Sequence, residues 1–212
     1  MNTADFIALL EGMRITILVS LSAVCIGVPL GLGLALIRWY RVPLLAPLLA
    51  MLVSLLRAIP SVTLVLLVYF ALPGLGFAPN RLEAAIAVLG AGTMAFDCEI
   101  WRAALLAFPR DQLDAAIACG MRRGLRFRRI VLPQVFRASL PALMNEVTLI
   151  IKVSPAVAVI GLVDTTRAAV RIGAQTYAPI PPFLIALLLY VVLIGALIGA
   201  QRVIARKFSV AL

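Results

Sequence analysis

Residues 15–37 run without a single charged side chain. At about 1.5 Å of helical rise per residue this stretch is about 34 Å long, enough to cross a hydrocarbon core of about 30 Å. A chain carrying such a segment takes the bilayer as its main solvent, and further apolar stretches at about 54–72, 84–108, 138–154 and 183–203 repeat the signal. The expected fold is an all-α integral membrane protein of five transmembrane helices in a single domain, 1–212. Composition agrees: 64% of the residues are hydrophobic and 13% charged, outside the range of soluble domains. The N-terminal MNTADFIALLEGMR carries Asp5 and Glu11 ahead of Arg14. The apolar run behind it is too long for a signal-peptide core and is expected to remain as a span.

Nineteen Lys and Arg oppose nine Asp and Glu, for a formal charge of +10. In an oily chain such a surplus sets orientation by the positive-inside rule. Arg38, Arg41, the arginines from Arg110 to Arg137 and the basic tail with Arg202, Arg206 and Lys207 fall on one side. Arg14, Arg81, Arg167 and Arg171 fall on the other. The first side is expected to be cytoplasmic, with the N-terminus outside and the C-terminus inside. Nucleic-acid binding is set aside, because the basic run lies between apolar segments rather than on a soluble face with interleaved aromatics. The absence of histidine excludes imidazole catalysis and His-ligated metal sites. Cys25, Cys98 and Cys119 form no CxxC pair and are read as small packing residues. No catalytic group and no metal site are expected.

The largest inner loop, 110–133, holds DAAIACGMRRGLRFRRIVLP, with five arginines between Arg122 and Arg129. Leu113, Ala116, Ile117 and Gly120 follow i, i+3, i+4, i+7 spacing, and Asp111 and Asp114 lie near the helix start, where the dipole favours anions. Ala115, Ala116, Ala118 and Gly120 are small enough to bring the backbone close to another surface. An amphipathic segment lying on anionic lipid is equally compatible with the pattern.

The same string resembles the EAA loop of permease subunits in binding-protein-dependent ABC importers, with Asp114, Ala115, Ala116, Gly120, Phe127, Leu132 and Pro133 at the recurring positions. LRAIPSVTLVLLVYFALP (56–73), AFDCEIWRAALLAFPRDQLDAA (95–116) and LPALMNEVTLIIKVSPAVAVIG (140–161) resemble the second, third and fourth spans of that family's polar amino acid branch. Asp114 stands where glutamate is usual and keeps the charge. Ala58, Ile59 and the run Val153 to Pro155 depart from the family near the translocation path. The resemblance implies a type I ABC importer permease fold, whose loop is a coupling helix docking on separate ATPase subunits. It implies a second permease subunit in a homo- or heterodimer, an extracytoplasmic solute-binding protein, and the cell inner membrane as location. The only lysines, Lys152 and Lys207, follow Ile151 and Arg206, so no P-loop is present; ATP and Mg²⁺ are expected on the partner ATPase subunits and no cofactor on this chain.

A charged side chain at the centre of a span costs about 2.5–3.5 kcal/mol on insertion scales and marks a bundle interior or aqueous path. Asn145, Thr148 and Lys152 share one helical face, with Glu146 about 100° away. Glu146 with Asn145 is the candidate contact for a cationic group of the solute, a pair that also resembles the family's fourth span; Thr148 and Asp97 are further candidates along the path. The alternative is that Glu146 pairs with a buried cation and holds helices together. Glu99 and Arg102, three apart, are expected to satisfy each other. Arg57 and Pro60 are read as shaping a gate or interface, and Gly27, Gly31 and Gly33 as close-packing positions. The competing function is an autonomous secondary transporter or small channel; it requires inverted repeats, and the EAA-like segment is not repeated.

Overall fold

A computed structural model describes residues 2–209, with side chains to residue 203; Arg206 and Lys207 of the basic tail lie outside the described side chains. Helix α1 (Thr3–Trp39) begins well before residue 15 because its start is capped. The Asn2 side chain accepts from the Asp5 N–H at 2.9 Å, and the Asp5 carboxylate accepts from the Asn2 N–H at 2.8 Å, a reciprocal capping box. At about 1.5 Å per residue α1 is about 55 Å long and overruns the hydrocarbon core. Helix α4 (Arg81–Leu106) opens on the same device, Asn80 with Glu83.

The apolar run 44–72, where a lead-in helix breaking near Pro60 is expected ahead of the rest of the span, does break there. Helix α2 (Leu45–Ala58) stops and α3 (Ser61–Ala71) restarts, the two bent by 106°. Pro60 lacks an N–H and forces Ile59 into extended backbone, φ −81° and ψ 128°, so the ladder cannot cross. Four helical stretches among the described residues are long and apolar enough to cross a bilayer: Thr3–Trp39, Arg81–Leu106, Arg123–Ile160 and Ile180–Val203. Counting the bent pair as one span gives five. The third stretch joins α6 (Arg123–Arg126), a π-helical turn (Phe127–Val131), α7 (Leu132–Val153) and a 3₁₀ segment (Ser154–Ile160). Between α4 and α6 lies the short α5 (Arg110–Ala118). The region 157–178 resolves into the end of the 3₁₀ segment and α8 (Thr165–Thr176), which buries Thr165, Ala168, Ala169 and Ile172 on one face. The last helix is α9 (Ile180–Ser209).

The centre of the bundle is the α1–α4 seam. A Cβ on Gly27 would lie 2.6 Å from the Thr93 Cβ, and one on Gly31 would lie 2.9 Å from the Cys98 backbone nitrogen. Only glycine lets the two backbones approach so closely. Gly33 does not share this role, since a Cβ there meets nothing within 4 Å. Cys98 is buried at the seam, but Cys25 and Cys119 are exposed, so only one of the three cysteines is a core packing residue.

At the end of the bundle away from α5 a buried polar knot joins α1, α8 and α9. Thr16 Oγ1 and Thr165 Oγ1 are 3.1 Å apart, and Thr166 Oγ1 and the Tyr190 hydroxyl 3.2 Å. Asp164 caps α8, accepting from the Arg167 N–H at 2.9 Å and the Thr166 N–H at 3.3 Å. Its burial raises the carboxyl above its ordinary pKa, against the pull of those cap bonds.

Candidate functional site

Two regions gather the chemistry-bearing residues. The first is the α5 segment. Pro109 precedes the helix and Asp111 occupies its first turn. The far end closes as a Schellman turn: the Gly120 N–H donates to the Ile117 carbonyl at 2.8 Å and the Met121 N–H to the Ala116 carbonyl at 3.0 Å. Gly120 has φ +73°, and a Cβ there would meet nothing within 4 Å. Within this chain glycine is therefore used at this position for backbone conformation, and the space beside it is open.

The alanines divide. Ala116 is 4% exposed and turned inward, whereas Asp114, Ala115 and Ala118 are exposed. Phe127 and Leu132 are half-buried, and Pro133 is exposed in the first turn of α7. The Phe127 ring lies 6.3 Å from Trp39 at the end of α1. Gln134 donates to Gln112 at 2.8 Å, tying α7 to α5. These contacts set the angle of α5 against the bundle.

The second region is a cavity of about 330 Å³ between the α2–α3 bend, α4 and α7. Glu146 reaches it from α7 and is 8% exposed. Arg57 and Pro60 reach it from the bend, and Phe96 from α4. Arg57 stands 5.2 Å from the Phe96 ring centre, a cation–π arrangement. Glu146 takes part in no ion pair among the described residues. A second cavity, of about 560 Å³, also includes Arg57 and Phe96 and extends to Glu99 and Ser139.

The other sequence candidates lie elsewhere. Asp97 is fully buried, with neither carboxylate oxygen hydrogen-bonded; it faces α1, its Cβ 3.0 Å from where a Cβ on Gly31 would sit. Thr148 is buried and donates to the Met144 carbonyl at 3.1 Å. Asn145 and Lys152 are exposed. The stripe of α7 that lines the cavity is Glu146, Leu149, Ile150 and Val153, spaced i, i+3, i+4, i+7. Glu99 accepts from the Arg102 Nε at 2.9 Å, and it also forms an ion pair with Arg38 of α1. The Arg38 contact has no local sequence signal, because the partners are 61 positions apart.

A family model described as binding-protein-dependent transport system inner membrane component matches residues 27–210. The chain is 35% identical over 202 residues to the arginine transport system permease protein ArtQ of Bacillus subtilis, covering 95% of this chain and 92% of the relative. It is 35% identical over 192 residues to the octopine transport system permease protein OccM of Rhizobium meliloti, covering 84% and 76%. Its fold superposes on a chain of a solved amino acid ABC transporter with histidines at TM-score 0.88 and 27% identity, over 98% of this chain and 99% of that one.

Proposed function

The chain belongs to the binding-protein-dependent transport system inner membrane components, and from that premise we propose how it works as a permease subunit of an ABC importer. It pairs with a second permease subunit, a copy of itself or a similar chain, and the two enclose a path for an amino acid or amino-acid-like solute. Separate ATPase subunits, which hold ATP and Mg²⁺, dock on α5, and an extracytoplasmic binding protein delivers the solute. The α5 end and the C-terminus face the cytoplasm and the N-terminus faces out, as the arginine surplus at that end favours. Likeness to these relatives gives the autonomous carrier no support.

One observation carries the solute reading: Glu146 and Arg57, of opposite charge, line one cavity. A free amino acid presents an ammonium and a carboxylate, and this pair answers both with charge-assisted bonds. Glu146 also suits a guanidinium or amine on the solute, in keeping with the arginine and octopine systems of the two relatives. Asn145, Thr148 and Asp97 are given supporting places along the path and not contact with this cavity. On the docking side, Asp114 and Ala115 present the exposed surface. Gly120 sets the turn, while Ala116, Phe127, Leu132 and Pro133 fix α5 on the bundle, so that movement of the ATPase subunits is passed to α7.

Reconstitution in vesicles tests the reading. With its ATPase subunits and binding protein, the chain takes up arginine only when ATP is supplied. Accumulation against a gradient by this chain alone, without nucleotide, overturns it.

A further inference from the structure

Where α1 ends and α5 and α6 meet, a cavity of about 480 Å³ is lined by Arg41, Arg110, Arg123 and Arg126. Asp114 is the one acidic group among its lining residues. None of the four arginines forms an ion pair among the described residues. Unpaired like charges gathered around one hollow repel each other and favour an anionic occupant. The floor, however, is apolar: Trp39 and Phe127 face each other there, above Val131, which is 1% exposed. A small soluble anion gains nothing from such a floor.

The position narrows the occupant further. Trp39 is the last residue of α1 and its ring centre lies 4.9 Å from that of Tyr40, the two rings tilted at 59°, an aromatic pair of the kind that settles at headgroup level. Planar guanidiniums hold a phosphodiester through paired hydrogen bonds, and the rings offer a surface to the first carbons of an acyl chain. We propose that this cavity holds the headgroup of an anionic phospholipid, a basic pocket between membrane helices. Leu113 and Ile117, which line it, stand about 160° around α5 from Ala115 at 100° per residue. A lipid seated there leaves Ala115 open, with Asp114 at the border between the two surfaces. The proposal rests on the reading that the α5 end is cytoplasmic only for the choice of leaflet.

The full chain, purified in mild detergent and offered phosphatidylglycerol and phosphatidylcholine in equal amounts, is expected to retain the anionic lipid about tenfold or more over the neutral one by native mass spectrometry. Arg123→Gln with Arg126→Gln brings that ratio close to one, while Arg128→Gln with Arg129→Gln, outside the cavity, preserves it. Equal loss from both pairs makes the effect one of general charge and overturns the proposal. Complete displacement by millimolar inorganic phosphate overturns it in favour of a free anion, and expulsion of the lipid by an added ATPase subunit overturns it in favour of a protein groove. Tryptophan fluorescence gives a readout in the unaltered chain, where Trp39 lines the cavity and the other tryptophan, Trp101, is 2% exposed: in nanodiscs, phosphatidylglycerol brominated near the headgroup quenches the fluorescence more than brominated phosphatidylcholine at the same mole fraction. Equal quenching overturns the proposal whatever the variants do. Transport is not measured in either assay, so failure of the solute path leaves both outcomes readable.

Discussion

Arg57 places its guanidinium 5.2 Å from the centre of the Phe96 ring, and the two side chains line both the Glu146 cavity and the larger one beside Glu99 and Ser139. The pair is thus common to two hollows that lie one after the other along α4 and α7. Arg57→Gln removes the partner for a solute carboxylate, an interaction of about 1.5–3 kcal/mol when charged. Uptake in vesicles is expected to show a KM raised by about tenfold or more, with assembly unchanged by size-exclusion chromatography.

Glu146→Gln keeps the shape of the side chain and removes its charge. Transport of arginine is expected to fall by about tenfold or more, and the full complex to elute as before. Loss of the assembled complex instead would identify Glu146 as a structural carboxylate.

The α1–α4 seam separates glycines that look alike in sequence. Gly31→Val drives a side chain onto the Cys98 backbone nitrogen, 2.9 Å from the new Cβ, and backbone there cannot swing aside. Overpacking of this kind costs about 1–3 kcal/mol and is expected as a lower Tm in detergent. Gly33→Val meets open space and is expected to change stability by no more than an ordinary surface substitution, about 0.5 kcal/mol, with Tm nearly unchanged.

On α5 the two kinds of small residue are expected to fail differently. Gly120→Ala must hold a left-handed backbone at φ +73°, at a cost of about 1–2 kcal/mol, and loosens the turn before α6. Ala115→Leu is exposed and conformationally free, so thermal stability is retained while co-purification of the ATPase subunit is lost. Retained co-purification would remove Ala115 from the docking surface.

Asp164 supplies a pH dependence. Its folded-state carboxyl is raised by burial, so the stability it contributes is complete below the unfolded carboxylate pKa and falls as pH rises through the folded value. Asp164→Asn keeps an equally good cap and is expected to abolish that dependence, with Tm at neutral pH no lower than the parent. Asp164→Ala loses the cap itself, about 1 kcal/mol. Monitoring Tm from acid to neutral pH separates the three chains.

Hydropathy makes the spans legible because each apolar run is local and must meet lipid. The caps at Asn2–Asp5 and Asn80–Glu83 are equally local, and the first explains why α1 extends so far ahead of residue 15. The bend at Pro60 follows from one residue's missing donor, although its angle is decided by packing. Glu146 stands out in the sequence through the cost of burying a carboxylate. Arg57 is legible too, as a charge beside Pro60 read as part of a gate or interface, but not as a neighbour of Glu146, because the α2–α3 bend brings it there from another part of the chain. Gly120 is conspicuous as a small residue, yet its reason, a positive φ, belongs to a turn that periodicity does not describe. Arg38 reads as an interfacial charge until α1 and α4 are laid side by side and Glu99 accepts it.

The knot of Thr16, Thr165, Thr166 and Tyr190 fastens the first helix to the last two. Thr16 and Thr165 are 149 positions apart, so during synthesis the leading helix enters the bilayer long before its hydroxyl acquires a mate. Maturation of that end of the bundle therefore waits for the ribosome to deliver α9. A nascent chain halted before Tyr190 carries an incomplete clasp, with the Thr166 hydroxyl still without its tyrosine.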